Sequence, residues 1–344
     1  MGHATRDLPL IERLLSEGSK VTVVSTDRAL TLLKRELGTR CEFMEWPDLP
    51  KSLASSAPLS YAKFTLSLPL AYRAIIAEQH LVRGLLRYRR FDRIVSDNRY
   101  GIYSKHVDSF QLVHGLRFIA PKRYRWLEIM FEYLNWRLFG PVKKFLVPDY
   151  EENSLAGDLS HGMRFYDPTR VEYLGILSGL RRVDVRTDVD YFITVSGPEP
   201  QRTVMERLVL QQAPELSGRV VIALGKPESS ESPQRKGNLE IHHFLDRRRQ
   251  QEIMNRSKMV ICRSGYTTLM ELAELGKLAM LVPTPGQTEQ EYLARYHHFG
   301  GRFYSVTQQN MNLKSDVVLA TRYPGYNPTH YTEESVARFI EAIS

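Results

Sequence analysis

The sequence predicts an α/β protein of two domains built on parallel strands. Three observations lead there. Residues 259–282 read as strand, turn, helix, strand, with apolar runs at Met259-Val260-Ile261-Cys262 and at Leu278 to Val282. Such continuous apolar runs suit strands covered on both faces. Strand-like runs recur at Lys20–Ser25, Phe91–Asp97, Phe145–Asp149, Tyr191–Val195, Val220–Leu224 and Leu239–Leu245. A chain of 344 residues is long enough for two such domains.

The stretch 259–294 carries the clearest chemistry. Its first strand breaks at Ser264-Gly265, a helix runs from Thr267 to Leu275 with Leu269, Leu272, Ala273 and Leu275 on its packed side, and Gly276 stops it. Ligands of parallel sheets sit outside the carboxyl ends of the strands. That edge holds Arg263-Ser264-Gly265 and Thr284-Pro285-Gly286-Gln287. Gly265 admits close approach of backbone N–H groups, and the helix behind it offers unpaired N–H donors and partial positive charge, a seat for a diphosphate. Glu271, a turn or so further in, is placed to accept hydrogen bonds from two ribose hydroxyls, and Gln287, Gln290 and Glu291 offer polar groups for a sugar. As pattern alone, Ser264, Thr267 and Thr268 fit simple helix capping equally well, and Glu271 fits a solvated helical carboxylate.

The segment CRSGYTTLMELAELGKLAMLVPTPGQTEQEYLA resembles the nucleotide-sugar signature of family 28 glycosyltransferases, the MurG-like group. The resemblance implies that Arg263, Ser264, Gly265, Tyr266 and Thr267 hold the donor diphosphate and that Glu271 grips the ribose. Gln290 and Glu291 stand where the family has a Gln-Gln pair on the donor sugar; the Glu at 291 departs from it and points to a different sugar.

Apolar and charged fractions are ordinary for a globular protein, and no apolar run reaches membrane-spanning length. No secretory leader is evident, and Cys41 and Cys262 form neither a disulfide framework nor a metal spacing, which suits a reducing cytoplasm. A net charge of +8 favours anionic partners: nucleotide sugars, acidic lipid surfaces or nucleic acid.

Along the chain, Leu8–Ser16 reads as a helix and Lys20–Ser25 as a strand, while MGHATRDL before them has no strand to hang from. In the resembled family a Gly-x-x-Gly-His loop follows the first central strand, and Gly2-His3 matches its end. The expectation is a native start further upstream, by roughly one strand of 5–10 residues and a loop. His3 is a candidate base for an acceptor hydroxyl, or a histidine that only shapes its loop, with Thr5 and Arg6 as supports. Asp97-Asn98-Arg99-Tyr100-Gly101 follows the 91–97 strand and resembles an element of a set of uncharacterised bacterial glycosyltransferase-like proteins. In that set a second strand ends Thr-His-Gln-Leu, here Val113-His114-Gly115-Leu116, which makes His114 a second catalytic candidate. Gly2, Asp97, Asn98, Tyr100 and His161 are candidates for the acceptor side, although each alone is more often structural.

Residues 117–146 interleave Arg117, Lys122, Arg123, Arg125, Arg137, Lys143 and Lys144 with Phe118, Tyr124, Trp126, Phe131, Tyr133, Trp136 and Phe139. An ordinary packed helix with solvated cations is the first reading. A membrane interface facing a lipid-linked acceptor is the second. Nucleic acid ranks last, because no binding motif accompanies the charge.

In the C-terminal half, Ser196 and Gly197 follow the Tyr191–Val195 strand, where the resemblance implies a loop on the diphosphate side, and it puts Phe244 and Leu245 against the nucleobase. Asp188-Val189-Asp190 copies the Asp-x-Asp metal element of another transferase class but precedes its strand. That puts it roughly 15–20 Å from the ligand edge at about 3.3 Å per residue, so no metal and no other cofactor is expected.

The architecture implied is GT-B: two Rossmann-like domains facing across a cleft, the first N-terminal strand missing. Residues 1–165 would form the acceptor-side domain, 166–189 the connection, 190–332 the nucleotide-sugar domain, and 333–344 a helix crossing back. The expected activity is inverting, metal-independent transfer of a hexose-type sugar from a UDP-linked donor to an unknown hydroxyl. It would take place in the cytoplasm, with the inner membrane face as a candidate location. A UDP-sugar 2-epimerase and a non-catalytic nucleotide-sugar-binding module are the alternatives. A nicotinamide dehydrogenase is disfavoured for want of a Gly-x-Gly-x-x-Gly after a strand.

Overall fold

A computed structural model describes residues 2–47, 60–119, 125–229 and 231–344. The chain divides into two compact units, residues 1–179 with 329–344, and residues 180–328.

The first unit runs α1 (Gly2–Ser16), β1 (Thr22–Ser25), α2 (Asp27–Leu37), β2 (Glu42–Glu45), α3 (Ser60–Tyr88), β3 (Arg93–Asp97), β4 (Asp108–Leu112), α4 (Arg125–Leu138), β5 (Lys144–Val147) and β6 (Val171–Tyr173). Its described strands form two parallel sheets, β1-β2 and β3-β4-β5-β6. The stretch 166–189, read above as connection, thus gives β6 to this unit, so β5 is an interior strand. Gly2-His3 is not a loop: the helix begins at Gly2, and Ala4, Leu8, Ile11 and Leu15 place one apolar stripe against Val23, Leu33 and Leu37. His3 therefore sits on a first helical turn. Pro9 removes the N–H that would bond the Thr5 carbonyl. Gly179 comes so close to that carbonyl that a Cβ there would lie 2.7 Å from it.

The second unit runs β7 (Val189–Thr194), α5 (Gln201–Gln212), β8 (Val220–Ala223), β9 (Gln234–Lys236), β10 (Leu239–His242), α6 (Arg247–Arg256), β11 (Ser257–Cys262), α7 (Tyr266–Leu275), β12 (Leu278–Leu281), α8 (Thr288–Phe299), β13 (Tyr304–Ser305) and α9 (Leu313–Ala320). After it the chain returns to the first unit, where α10 (Thr332–Ile343) packs on α1. The strand order is β13-β12-β11-β7-β8-β10-β9, parallel except for β9. Buried Ile193, Ile222, Ile241, Ile261 and Met280 form its core. The order reverses between β7 and β11, and a crevice beyond the carboxyl ends of two such strands is where doubly wound sheets take ligands.

Candidate functional site

The loops after β7 and β11 flank that reversal. Gly197 has φ +112°, and a Cβ there would lie 3.4 Å from Thr284 Oγ1 and 3.8 Å from Arg263 Nε. Thr284 is 1% exposed, and its hydroxyl has no hydrogen-bond partner among the described residues. The pattern gave no signal for this residue beyond its place after a strand.

Arg263, which the resemblance counts in the loop that holds the diphosphate, turns its side chain into the protein. Its guanidinium is buried and donates from Nε to Ser196 O (3.2 Å), from Nη1 to Val282 O and Pro283 O (both 3.1 Å), and from Nη2 to Gln201 O (3.0 Å) and Gln308 Oε1 (2.6 Å). All five donors of the fork are used. Burial lowers its pKa to about 10, which still leaves it cationic at neutral pH. Arg263 ties together the loops that face the ligand edge, and Gln308 and Gln201, bonded to each other at 3.0 Å, complete the tie.

Helix α7 begins at Gly265 with no side-chain cap. Ser264, which pattern alone would allow as a cap, donates instead to Gln290 O at 2.8 Å. Tyr266 is buried, so what it can offer an anion is backbone; Thr267 and Thr268 are partly exposed. Glu271 is 8% exposed, and burial pushes its carboxyl up to about 7, with the Arg247 charge opposing. It is buried and so is not a solvated helical carboxylate.

Gln290 Oε1 accepts from Thr284 N at 2.9 Å, and Glu291 Oε1 accepts from Gly286 N at 2.8 Å. One oxygen of each therefore shapes the loop after β12. The Gln290 amide N–H groups and the second Glu291 oxygen are engaged by nothing among the described residues. Gln287 is partly exposed at the start of α8. Phe244 is 40% exposed, but Leu245 is buried, which leaves only its backbone for a base. Ser196 is exposed, with its carbonyl held by Arg263. Asp188 and Asp190 are committed to Arg219, Arg256 and Lys258 at the amino edge of the sheet.

In the first unit, four side chains from α1, β3 and the end of β4 converge. His3 Nδ1 lies 2.9 Å from Asp97 Oδ2, the fully buried Arg6 holds both Asp97 oxygens, and Arg6 Nη1 lies 3.1 Å from His114 Nδ1. The two imidazole centroids are 6.3 Å apart. Burial pushes the Asp97 carboxyl up, yet Arg6 and His3 beside it outweigh this and hold it well below the usual carboxylate range. Burial and the Asp97 charge push neighbouring Asp7 well above that range. His3, Asp97 and His114 are thus brought together. Arg6, three residues after His3, shares its helix face, and its part is larger than that of a loop support.

Other acceptor-side candidates are tied into the framework. Asn98 turns the chain with φ 54° and donates its N–H to Leu112 O. The Tyr100 hydroxyl donates to Asn135 Oδ1 at 2.7 Å, and burial raises its pKa to about 12. Gly2 accepts from Thr5 Oγ1 within the first turn of α1. His161 stacks on Tyr173 with both ring nitrogens against carbonyls, Nδ1 near Gly157 O and Nε2 near Glu151 O.

Helix α4 packs one side inward, with Phe131 buried. Its buried side carries Glu128 and Glu132, beside Arg117, while Trp126 (65% exposed), Ile129, Met130 and Tyr133 line the outer side with Arg137. Lys122, Arg123 and Tyr124 lie outside the described residues. No helix among the described residues is long and apolar enough to cross a membrane.

Residues 195–318 match the glycosyltransferase family 28 C-terminal domain. Among solved structures, the glycotransferase of kitacinnamycin is similar at TM-score 0.67 and 15% identity, over 99% of this chain and 96% of that one. Arabidopsis thaliana UGT89C1, complexed with UDP, is similar at TM-score 0.61 and 13% identity over 99% and 92%. Acinetobacter baumannii MurG follows at TM-score 0.50 and 13% identity over 99% and 91%. No curated protein matches by sequence.

Proposed function

We propose that this chain, a GT-B glycosyltransferase of the family 28 type, moves a hexose-type sugar from a UDP-linked donor to a hydroxyl acceptor, with inversion and without a metal. The observation that carries the reading is the edge of the second unit. There an uncapped helix start, the Thr284 hydroxyl, unpartnered among the described residues, and the buried Glu271 carboxyl lie on the loops and helix beyond the point where strand order reverses. The N–H groups of α7 and Thr284 Oγ1 would meet the charge of the departing diphosphate. Glu271 would accept from the ribose hydroxyls, and the Gln290 amide and Glu291 would read the sugar.

The first unit supplies the base. Asp97 fixes and polarises His3, which takes the proton of the acceptor hydroxyl as the oxygen bonds the anomeric carbon. The bond from that carbon to the diphosphate oxygen breaks on the opposite face, so configuration inverts and the nucleoside diphosphate leaves. The outward apolar stripe of α4, with Arg137 beside it, fits peripheral attachment to an anionic membrane surface and hence a lipid-linked acceptor.

A thermal-shift series with UDP, TDP, GDP and UDP-hexoses tests the donor site, repeated in Glu271→Ala. UDP compounds should raise Tm in the wild type and lose most of that effect in the variant. No shift with any nucleotide would sink the reading.

A further inference from the structure

The cluster in the first unit contains two histidines of identical chemistry, and Arg6 makes them unequal. A guanidinium has five donors and no acceptor. The Arg6 Nη1 that lies 3.1 Å from His114 Nδ1 therefore donates, and Nδ1 must hold a lone pair. A neutral imidazole with a lone pair on Nδ1 carries its proton on Nε2. An imidazolium at 114 would set N–H against N–H and put a second positive charge beside a fully buried cation. His3 is fixed in the opposite sense. Its Nδ1 faces Asp97 Oδ2 at 2.9 Å, and an ionised carboxylate only accepts, so Nδ1 donates and the lone pair of the neutral ring is on Nε2.

We infer that Arg6 is a positioning residue that divides the work of the two histidines: it locks His114 as the Nε2–H tautomer, a hydrogen-bond donor, and so leaves His3 as the one proton acceptor. The inference rests on the proposed reading of this cluster as the site where the acceptor hydroxyl loses its proton. Arg6 is bonded to His114, Asp97 is reached through Arg6, and the His3 ring stands 6.3 Å away. His114 Nε2–H then suits a substrate oxygen, whereas His3 Nε2 suits a hydroxyl proton.

Two-bond ¹H–¹⁵N correlation spectra of the full chain, labelled on histidine, test this directly, with His3→Gln and His114→Gln used to assign the rings. The expected pattern at neutral pH is a pyrrole-type Nε2 and pyridine-type Nδ1 for His114, and the reverse for His3. In Arg6→Met, close in length and without a donor, His114 should lose that fixed pattern. A proton on His114 Nδ1 in the wild type would overturn the inference, as would an unchanged His114 spectrum in a folded Arg6→Met. Should that variant not fold, the wild-type spectrum alone decides. In turnover of UDP-hexose, His114→Ala should lower the rate by roughly 10–100-fold and His114→Gln should recover most of it, while His3→Gln should recover nothing over His3→Ala. Equal rescue at both positions would also overturn it. The spectra need neither donor nor acceptor, so the expected tautomers together with absent nucleotide binding would sink the transferase reading and leave the Arg6 lock standing.

Discussion

Arg263 Nη2 lies 2.6 Å from Gln308 Oε1, the shortest of five donated bonds that join the ends of β7, β11 and β12 to the segment after β13. An arginine at a phosphate-facing loop invites the reading of a ligand cation, yet here it faces carbonyls. Removing it strands several buried acceptors at once. Arg263→Met should lower stability by roughly 3–5 kcal/mol in urea unfolding, and Arg263→Lys by somewhat less, because a lysine cannot reproduce the fork. A loss of nucleotide affinity with stability unchanged would restore the ligand role.

Glu271 links stability to pH in an unusual direction. Its folded pKa, pushed up to about 7 by burial, lies above the ordinary 4.5, so the folded state binds more protons between those values. Ionisation in the folded state is the costly step. The penalty is absent below about pH 4.5, grows as pH rises toward 7 and then levels off near 3 kcal/mol, an order-of-magnitude figure. Glu271→Gln should therefore match the wild type near pH 4.5 and exceed it in stability at pH 8. UDP binding should strengthen from pH 6 to pH 8 in the wild type, as the carboxylate that accepts from the ribose forms, and not in the variant. Parallel unfolding curves for the two proteins at both pH values would refute this.

Much of the second unit was legible because chemistry and periodicity coincide there: the 259–282 run sets β11, α7 and β12, and Gly265 and Gly276 mark the helix ends. Side-chain direction was not legible. Strand ends fix where Arg263, Gln290 and Glu291 begin, but only the folded backbone shows which carbonyls and N–H groups they meet. In the first unit the motif around His3 was readable, but its conformation was not. A Gly-His pair suggests a loop, whereas the apolar stripe from Ala4 to Leu15 wins and makes a helix. The pairing of His3 with Asp97 joins residues 94 apart, beyond any local pattern.

His3 and Asp97 should separate in kind. His3→Gln removes a half-exposed base and should cut turnover by roughly 10²–10⁴-fold with little change in stability. Asp97→Asn removes the carboxylate that holds the buried Arg6 and should also cost about 3–5 kcal/mol of stability. Paired turnover and unfolding measurements check this; two variants with the same stability loss would break the distinction.

The outer face of α4 gives a prediction independent of chemistry. Trp126→Asp with Ile129→Asp alters exposed side chains, so stability should stay within about 0.5 kcal/mol for each change. Sedimentation with vesicles containing phosphatidylglycerol should fall sharply relative to the wild type, and raised salt should weaken what remains. Wild-type protein that stays in the supernatant of such vesicles would remove the membrane from the account.

Thr284 offers the sharpest separation of fold from function. A hydroxyl that is 1% exposed and unpartnered among the described residues costs the fold a desolvation penalty that no bond to those residues offsets. Valine has nearly the same shape without the hydroxyl, so Thr284→Val should leave stability unchanged or raise it by about 1 kcal/mol. If the hydroxyl faces the diphosphate across Gly197, the same change should weaken UDP binding by roughly tenfold, about the worth of one charge-assisted hydrogen bond. Calorimetric titration and unfolding on one preparation give both numbers. Lower stability with intact binding would mean that the hydroxyl serves the fold, and would take the diphosphate away from this edge of the sheet.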